Sequence, residues 1–370
     1  MAKQNFIAKA LCRLAGDLYT KESTEKSLEK ALQKARENVI PLDIHNDKWI
    51  LFSDHHKGGK NRADDFRLCE AAYLNALEYY FEQGYSLCVM GDVDELWEEF
   101  PSMVIRSNGA TFAAEKQFHE AGRYIRIWGN HDEIWGDPAL VQKYLQPLYG
   151  SKQLEVSESI LFEVRSSDDT LGRILLLHGH QGTQNEGEST KVAKWVLHNI
   201  WRPIQVVTGF SCNTPATDWQ IRAERDKIIY AWTARQPRLI LIAGHTHAPV
   251  FESYSHRARL IAELSDAQQG VEKLLEDGKT EKLKQIEKLS ADLQRVEGKL
   301  SPDERATQPL IDPLPCYFNT GCCSFADGDI TGIEIAGGEM RLVRWPDDNG
   351  EPRRKVLQAG SLEGIFGTLK

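Results

Sequence analysis

The chain has 370 residues, 41% of them hydrophobic and 27% charged, so it can bury a large core either as one domain with insertions or as two domains. Its formal net charge of −9 disfavours sequence-independent binding of a polyanion across the whole surface. No apolar run approaches the ~18 residues that a membrane span needs, and the spaced apolar residues near the N-terminus disfavour a signal peptide.

Helical periodicity and changes in composition divide the chain into a core with insertions. Apolar side chains recur at helical spacing in 7–18 and again in 28–35, which predicts two helices ahead of Pro41. Residues 346–370 are polar and contain glycine, which predicts a surface tail. The predicted units are an N-terminal helical extension at 1–40, a core at 41–180, 238–261 and 302–345, a helical cap at 181–237, a helical hairpin at 262–301 and the tail at 346–370.

Five short apolar runs are typical of buried strands, and each is followed directly by a polar cluster. Carboxylate, amide and imidazole groups are ligands for divalent metals, and open α/β sheets carry their chemistry at the carboxyl ends of their strands. We therefore expect the five clusters to converge. The runs are 49–52 before Asp54 and His56, 87–90 before Asp92, 123–128 before Asn130, His131 and Asp132, 173–177 before His178 and His180, and 239–243 before His245 and His247.

Two other stretches are candidates for substrate binding. The loop after the first strand is basic and glycine-rich, so Asn61 and Arg62 are candidates to receive an anion, although a solvated surface loop has the same composition. The predicted cap contains four tryptophans among basic residues. These side chains either form the cap's own core or, with Arg202 and His180, bind the remainder of a phosphorylated substrate.

The insertion at 262–301 is rich in Lys, Glu and Gln, and its apolar residues alternate between spacings of three and four in a short heptad pattern. This pattern favours two helices that bury their own seam. A homodimer through the same residues and a nucleic-acid-binding arm are the alternatives, and the mixed surface charges disfavour the arm.

Cysteine usage bears on the compartment. The seven cysteines show no CxxC spacing, and Cys88 lies in a predicted core strand. They predict reduced thiols in a cytoplasmic protein. The adjacent Cys322 and Cys323 are better explained by packing than by metal ligation.

The five clusters occur in the order Asp-x-His, Gly-Asp-x-x-Glu, Gly-Asn-His-Asp, His-Gly-His and Gly-His-Thr-His. In this order they resemble the calcineurin-like metallophosphoesterases, and the resemblance covers residues 49–344. It implies an α/β fold, a four-layer α/β/β/α sandwich of two mixed sheets with the cap and the hairpin as insertions. It also implies two divalent metal ions, one held by Asp54, His56 and His247 and the other by Asn130, His178 and His245, with Asp92 bridging them.

These residue types fit hydrolysis of a phosphoric ester. Two cations about 3.5–4 Å apart need a shared anionic ligand, and they lower the pKa of a bridging water so that hydroxide attacks phosphorus in line with the leaving oxygen. By the same resemblance, His131 stabilises charge or protonates the leaving group, and Asp132 or a backbone carbonyl orients it. Oxygen and nitrogen ligands without a thiolate favour manganese, iron or zinc over calcium.

The sequence departs from the family pattern at Glu95, where Asp is commoner, and this predicts a changed hydrogen bond beside the metals rather than loss of a ligand. The stretch 317–321 is similar to that of the UDP-diacylglucosamine hydrolase branch, but His180 follows His-Gly where that branch commonly has Asp. The protein Ser/Thr phosphatase pattern is absent, because Leu96 and Trp97 follow Glu95.

The sequence thus predicts a two-metal hydrolase of a small phosphodiester or diphosphate, such as a nucleotide or a nucleotide-sugar conjugate. A nuclease acting on DNA or RNA is an alternative that the negative net charge disfavours. A non-catalytic binding module on the same fold is a second alternative, disfavoured because every expected ligand position is filled.

Overall fold

The computed structural model describes seven segments of the chain. Outside these segments lie the predicted first helix at 7–18 and residues 183–218 of the predicted cap, which include Arg202. No helix among the described residues is both long and apolar enough to cross a membrane. The described segments are 20–62, 64–167, 169–182, 219–271, 276–298, 313–346 and 352–369.

The longer elements alternate between strands and helices through most of the chain, with short helical turns over 133–149. In chain order they are α1 (Lys21–Ala35), β1 (Val39–Asp43), β2 (Lys48–Phe52), α2 (Phe66–Glu82), β3 (Ser86–Met90), α3 (Pro101–Ser107), α4 (Gly109–Glu120), β4 (Tyr124–Ile127), β5 (Val156–Ser157), β6 (Ser159–Ser166), β7 (Asp169–Leu177), α5 (Trp219–Thr233), β8 (Leu239–Ala243), β9 (Val250–Phe251), β10 (Tyr254–Ser255), α6 (His256–Val271), α7 (Glu276–Gly298), β11 (Tyr317–Asn319), β12 (Ile330–Ala336), β13 (Glu339–Trp345), β14 (Lys355–Ser361) and α8 (Leu362–Thr368).

The described strands form two mixed seven-stranded sheets, so the predicted α/β class is confirmed. One sheet has the order β1-β6-β7-β8-β11-β9-β10, and the other has the order β14-β13-β12-β2-β3-β4-β5. Strands β2, β3 and β4 run parallel to one another in the second sheet. Strands β7 and β8 run parallel in the first. The strands that precede the five polar clusters therefore end together in two groups.

Three apolar clusters hold the sheets and helices together. One contains side chains of both sheets, for example Phe162 and Ile242 from the first and Met90 and Leu51 from the second. Helix α2 covers the second sheet in another cluster. In the third, α1 and α5 pack on β6, β7 and β8 of the first sheet. Each sheet is thus covered on both faces, as the apolar runs typical of buried strands predict.

Helices α6 and α7 form the hairpin that the heptad pattern predicts. Leu260, Ala267 and Leu289 are buried between them, and Leu264, Ile286 and Leu293 pack against this seam. A seam buried within one chain fits the structural interpretation of the insertion.

Two segments correct the sequence predictions. Residues 39–43 form an edge strand rather than the close of a helical extension, and Pro41 is tolerated because β1 has a neighbour on one side only. The surface tail predicted for 346–370 is wrong, since β14 pairs with β13 and α8 buries Leu362, Ile365 and Phe366 in the core between the sheets. These three side chains follow helical spacing, which is a signal that the sequence did contain.

Candidate metal centre

The five predicted clusters converge in the structure. Backbone hydrogen bonds tie the loops together, since Asp54 N–H donates to Gly91 O at 3.1 Å and His56 N–H donates to Asp92 O at 2.8 Å. The two sheets are joined at the same place, because His245 N–H donates to both carboxylate oxygens of Asp54 at 3.0 and 2.9 Å. The strand ends therefore form one site rather than two.

Two glycines allow this close approach. Gly91 has φ +79°, and a Cβ there would lie 2.5 Å from the ring of His178. A Cβ on Gly244 would collide with the side chains of Ser53 and Asp54. The glycines that end β3 and β8 in the sequence are therefore required by packing across the site.

Asp54, His56 and His247 form one group of candidate ligands. His247 Nε2 lies 3.1 Å from Asp54 Oδ1, and the Nε2 atoms of His56 and His247 lie 3.2 Å apart. Two ligand atoms bound side by side to one cation at about 2.1 Å are about 3 Å apart. The spacing in this group therefore fits a single shared cation.

Asp92, His178 and His245 form a second group. His178 Nε2 lies 3.0 Å from Asp92 Oδ2, while its Nδ1 faces Met90 O at 3.0 Å, which suits donation to that carbonyl and leaves Nε2 available as a ligand. Asn130 is buried, and no donor among the described residues reaches its Oδ1. A cation beside Asn130 would satisfy this buried oxygen.

Asp92 stands between the groups, with His56 Nε2 3.9 Å from its Oδ2. Burial opposes ionisation of Asp92, but the facing imidazoles of His178 and His131 hold its pKa well below the usual value. Burial likewise lowers the pKa of His178, yet the carboxylates of Asp92 and Asp54 outweigh it and raise that pKa to about 9. Two buried, ionised carboxylates surrounded by imidazoles are the surroundings that a pair of divalent cations requires, so the residues fit two metals.

Five of the seven predicted ligand residues have a left-handed backbone. This conformation costs roughly 1–2 kcal/mol per residue for side chains other than glycine. Such strain concentrates at functional sites, where the surrounding structure enforces it. The residues and their φ angles are Asp54 (+54°), His56 (+51°), Asp92 (+48°), His245 (+67°) and His247 (+54°).

His131 is held by Glu95 rather than by Asp132. Its Nδ1 lies 2.7 Å from Glu95 Oε2, the same oxygen that lies 3.0 Å from His56 Nδ1. The indole of Trp97 stacks on the His131 ring with centroids 4.1 Å apart. Burial would raise the pKa of Glu95, but the two imidazoles lower it to about 2. Because Glu reaches further than Asp, one carboxylate contacts both rings.

Asp132, predicted to orient His131, instead organises the backbone beneath Asp92. Its carboxylate accepts N–H groups from Gly129 at 2.6 Å, Val93 at 3.1 Å, Asp92 at 3.3 Å and Asp94 at 3.4 Å. These N–H groups belong to the turn before Asp132 and to the loop after β3, and the longer side chain of Glu95 fills the position beside the imidazole. Asp132 therefore supports the loop that carries Asp92.

A buried ion cluster that the sequence did not reveal lies under the site. Lys57 and Glu115 are fully buried and form an ion pair. The hydroxyls of Tyr149 and Tyr124 donate to Glu115 Oε2 at 2.6 and 2.9 Å. Arg126 in β4 extends the cluster, but a single Lys or Arg in the sequence gives no sign of its burial.

The predicted substrate-binding residues have different surroundings. Asn61 Nδ2 donates to Glu99 Oε1 at 3.0 Å, and Arg62 is exposed. The neighbouring Lys60 pairs with Glu70 at 2.8 Å, so acids already neutralise part of this loop. His180 is half-buried, with its ring centroid 5.2 Å from that of Trp128 and 5.4 Å from that of His178.

All five cysteines in the described part of the chain are buried and form no disulfide. They are Cys69, Cys88, Cys316, Cys322 and Cys323.

Comparisons with known proteins identify the family. Vacuolar protein sorting 29 from Cryptosporidium parvum is 12% identical with a TM-score of 0.29, and the match covers 85% of this chain and 98% of that one. A dimetal phosphatase from Danio rerio is 10% identical with a TM-score of 0.33, and the match covers 84% of this chain and 99% of that one. At such low TM-scores neither likeness carries an argument, and no curated protein matches the chain. The family model described as calcineurin-like phosphoesterase matches residues 47–249, more than half of the chain, and the protein therefore belongs to that family.

Proposed function

We propose that this phosphoester hydrolase uses two divalent cations to cleave a small phosphodiester or diphosphate, such as a nucleotide or a nucleotide-sugar conjugate. The observation that carries the proposal is the spacing of about 3 Å between candidate ligand atoms drawn from four separate strand ends, those of β2, β3, β7 and β8. The family membership supplies the reaction class.

Asp54, His56 and His247 would hold one cation, and Asn130, His178 and His245 the other, with Asp92 shared between them. When bound, paired manganese, iron or zinc ions supply Lewis acidity and a water of lowered pKa. Asp54 and Asp92 balance the positive charge of the pair. The β3 and β4 loops, tied by His131 N–H donating to Asp92 Oδ1 at 2.8 Å, fix the distance between the shared carboxylate and His131.

His131 is the candidate proton donor to the leaving oxygen. Its Nδ1 faces Glu95, so we assign the proton donation to Nε2. Stacking on Trp97 fixes the plane of the ring, and the anionic Glu95 stabilises the protonated imidazole. A protonated Nε2 can give its proton to the departing alkoxide or phosphate.

The surroundings favour a small substrate over a polynucleotide. Lys60 and Asn61 of the basic loop already contact Glu70 and Glu99, and the formal net charge of the chain is −9. A polyanion needs several cationic contacts along its length. A single phosphoryl group would instead be bound chiefly by the paired cations and His131.

Metal analysis followed by hydrolysis assays tests this proposal. The purified protein is expected to contain two divalent cations and to cleave an aryl phosphodiester or a nucleotide diphosphate faster than an aryl phosphate monoester. UDP-sugar conjugates belong in the set because of the likeness of residues 317–321 to the UDP-diacylglucosamine hydrolases. Absence of bound metal would contradict the two-cation mechanism, whereas salt-sensitive cleavage of oligonucleotides would favour a nuclease.

Two further proposals concern the compartment and the oligomeric state of the protein. The five buried thiols support a reducing, cytoplasmic compartment. A homodimer through 262–301 is testable by light scattering before and after deletion of the hairpin.

A further inference from the structure

Two consecutive residues of α5, Arg225 and Asp226, reach the two turns that carry the histidines of the first sheet. Arg225 is fully buried, and its Nε donates to Gly179 O at 2.7 Å. Its Nη2 also donates to Gly179 O and, at 2.6 Å, to Gln181 O. One guanidinium therefore binds both carbonyls that flank His180 in the turn after β7.

The turn that Arg225 binds is fixed on its other side as well. Gly179 has φ +109°, and a Cβ there would lie 3.3 Å from Ala243 Cβ and 3.4 Å from His245 Cβ. Gln181 closes the turn, since its Oε1 accepts the Gly179 N–H at 3.0 Å. The turn is thus held between α5 and the loop after β8.

Asp226 contacts the loop after β8. Its Oδ1 accepts the hydroxyl of Tyr317 at 2.6 Å and lies 3.5 Å from Thr246 Oγ1, which stands between His245 and His247. Asn319 completes the contact, because its Nδ2 donates to Gly244 O at 2.6 Å and to Thr246 Oγ1 at 3.1 Å. Adjacent residues on a helix point about 100° apart, so one helical step suffices to contact both turns.

We propose that Arg225 and Asp226 form a positioning clamp that sets the distance between His178 and His245, and thereby the affinity of the site these histidines share with Asp92. The hydrogen bonds of both residues go to groups other than the candidate ligand atoms. Both act through backbone carbonyls and hydroxyls one contact removed from the imidazoles. Residues in that position typically change metal affinity 10–100-fold when they are replaced.

The clamp rests on the proposed function for its effect on metal binding, but its geometry can be tested without metal. In chelator-treated protein, Arg225→Gln is expected to shift the imidazole NMR signals of His178 and His245 and to leave that of His119, on α4, in place. Unchanged signals for His178 and His245 would refute the clamp whether or not the protein binds metal.

Metal titration of Arg225→Gln by calorimetry with Mn²⁺ is expected to show one site weakened 10–100-fold and the other within about threefold of the unsubstituted protein. Arg225→Lys should recover part of the loss. Arg235→Gln is the matched control, because Arg235 follows the same helix but pairs with Glu25 on the surface at 2.8 Å. Wild-type affinity at both sites in Arg225→Gln would overturn the proposal.

Tyr317→Phe gives a second test that removes one hydroxyl and leaves the packing of the ring. It should weaken the same site by about tenfold. Tyr230→Phe is its control, because Tyr230 lies on α5 and its hydroxyl accepts the N–H of Leu314 at 3.2 Å. This variant should change the affinity of neither site. If Arg225→Gln does not fold, Tyr317→Phe is the deciding variant. Unaltered Mn²⁺ affinity at both sites of Tyr317→Phe then refutes the clamp. Unsubstituted protein that binds no Mn²⁺ would instead refute the proposed function, and the imidazole signals would still test the clamp.

Discussion

Replacing Glu115 with Gln tests how far the buried ion cluster beneath the metal centre stabilises the fold. Burial alone would raise the pKa of Glu115, but Lys57 and Arg126 outweigh burial and lower it from 4.5 to about 2. A lowering of this size corresponds to about 3 kcal/mol of folding free energy at neutral pH. Removing one partner of a buried pair costs about the same, 3–5 kcal/mol, because the other charge stays buried.

The pH dependence follows from the direction of this shift. The pKa of Glu115 is lower in the folded than in the unfolded protein, so its contribution is complete above about pH 5 and is lost as the pH falls towards 2. The difference in unfolding free energy between the unsubstituted protein and Glu115→Gln should therefore be about 3 kcal/mol at pH 7 and at least 1 kcal/mol smaller at pH 3.5.

Urea unfolding followed by circular dichroism at both pH values measures this difference. Glu120→Gln is the matched control, because Glu120 ends the same helix and pairs with Lys116 at the surface at 3.4 Å. That variant should stay within about 0.5 kcal/mol of the unsubstituted protein. The reasoning is refuted if Glu115→Gln changes the unfolding free energy at pH 7 as little as Glu120→Gln does, or if its effect does not change with pH.

Four further outcomes test the site itself. Asp92→Asn should lose most bound metal and most hydrolysis, and a metal-replete, fully active variant would exclude a shared ligand at this position. His131→Ala should keep its metal and slow turnover by roughly 10²–10⁴, whereas loss of metal would mean that His131 is itself a ligand. Glu95→Gln should lower both kcat and metal affinity by about 10–100-fold, since one carboxylate contacts two imidazoles; an effect on only one of them would show that the two contacts are not equally important. Chelation should lower the unfolding free energy by about 2.7 kcal/mol for each cation that is bound at a concentration 100 times its Kd, and an unchanged melting temperature would argue against binding to the folded state alone.

The sequence predicts the strands that carry the site because each is a short apolar run with a polar cluster at its end. Hydrophobic burial determines such runs locally, so the prediction of β2, β3, β4, β7 and β8 does not require knowing which strands they pair with. The edge strand β1 and the strand β14 are different. Both depend on pairing with β6 and β13, respectively, and a polar or proline-containing segment gives little local signal for such pairing.

The same distinction applies to the site residues. Candidate ligands can be recognised because Asp, Asn and His follow a glycine or a buried run. The sequence prediction that Asp132 or a backbone carbonyl orients His131 missed Glu95, because both acids lie near His131 in the chain and only the folded backbone shows which one reaches the ring. Nothing in the sequence marks Arg225 or Lys57 as buried, yet both are fully buried against partners more than 40 residues away.

The left-handed backbone at five candidate ligand positions lowers the stability of the fold. At roughly 1 kcal/mol each, the five residues together oppose folding by several kcal/mol, a sizeable part of the 5–15 kcal/mol that holds an ordinary domain together. Glycine at any one of them would relieve that opposition, so metal-free His247→Gly should be more stable than metal-free His247→Ala by about 1 kcal/mol. Stability alone would favour glycine at each of these positions, and the aspartates and histidines that stand there instead fit the proposed binding of cations.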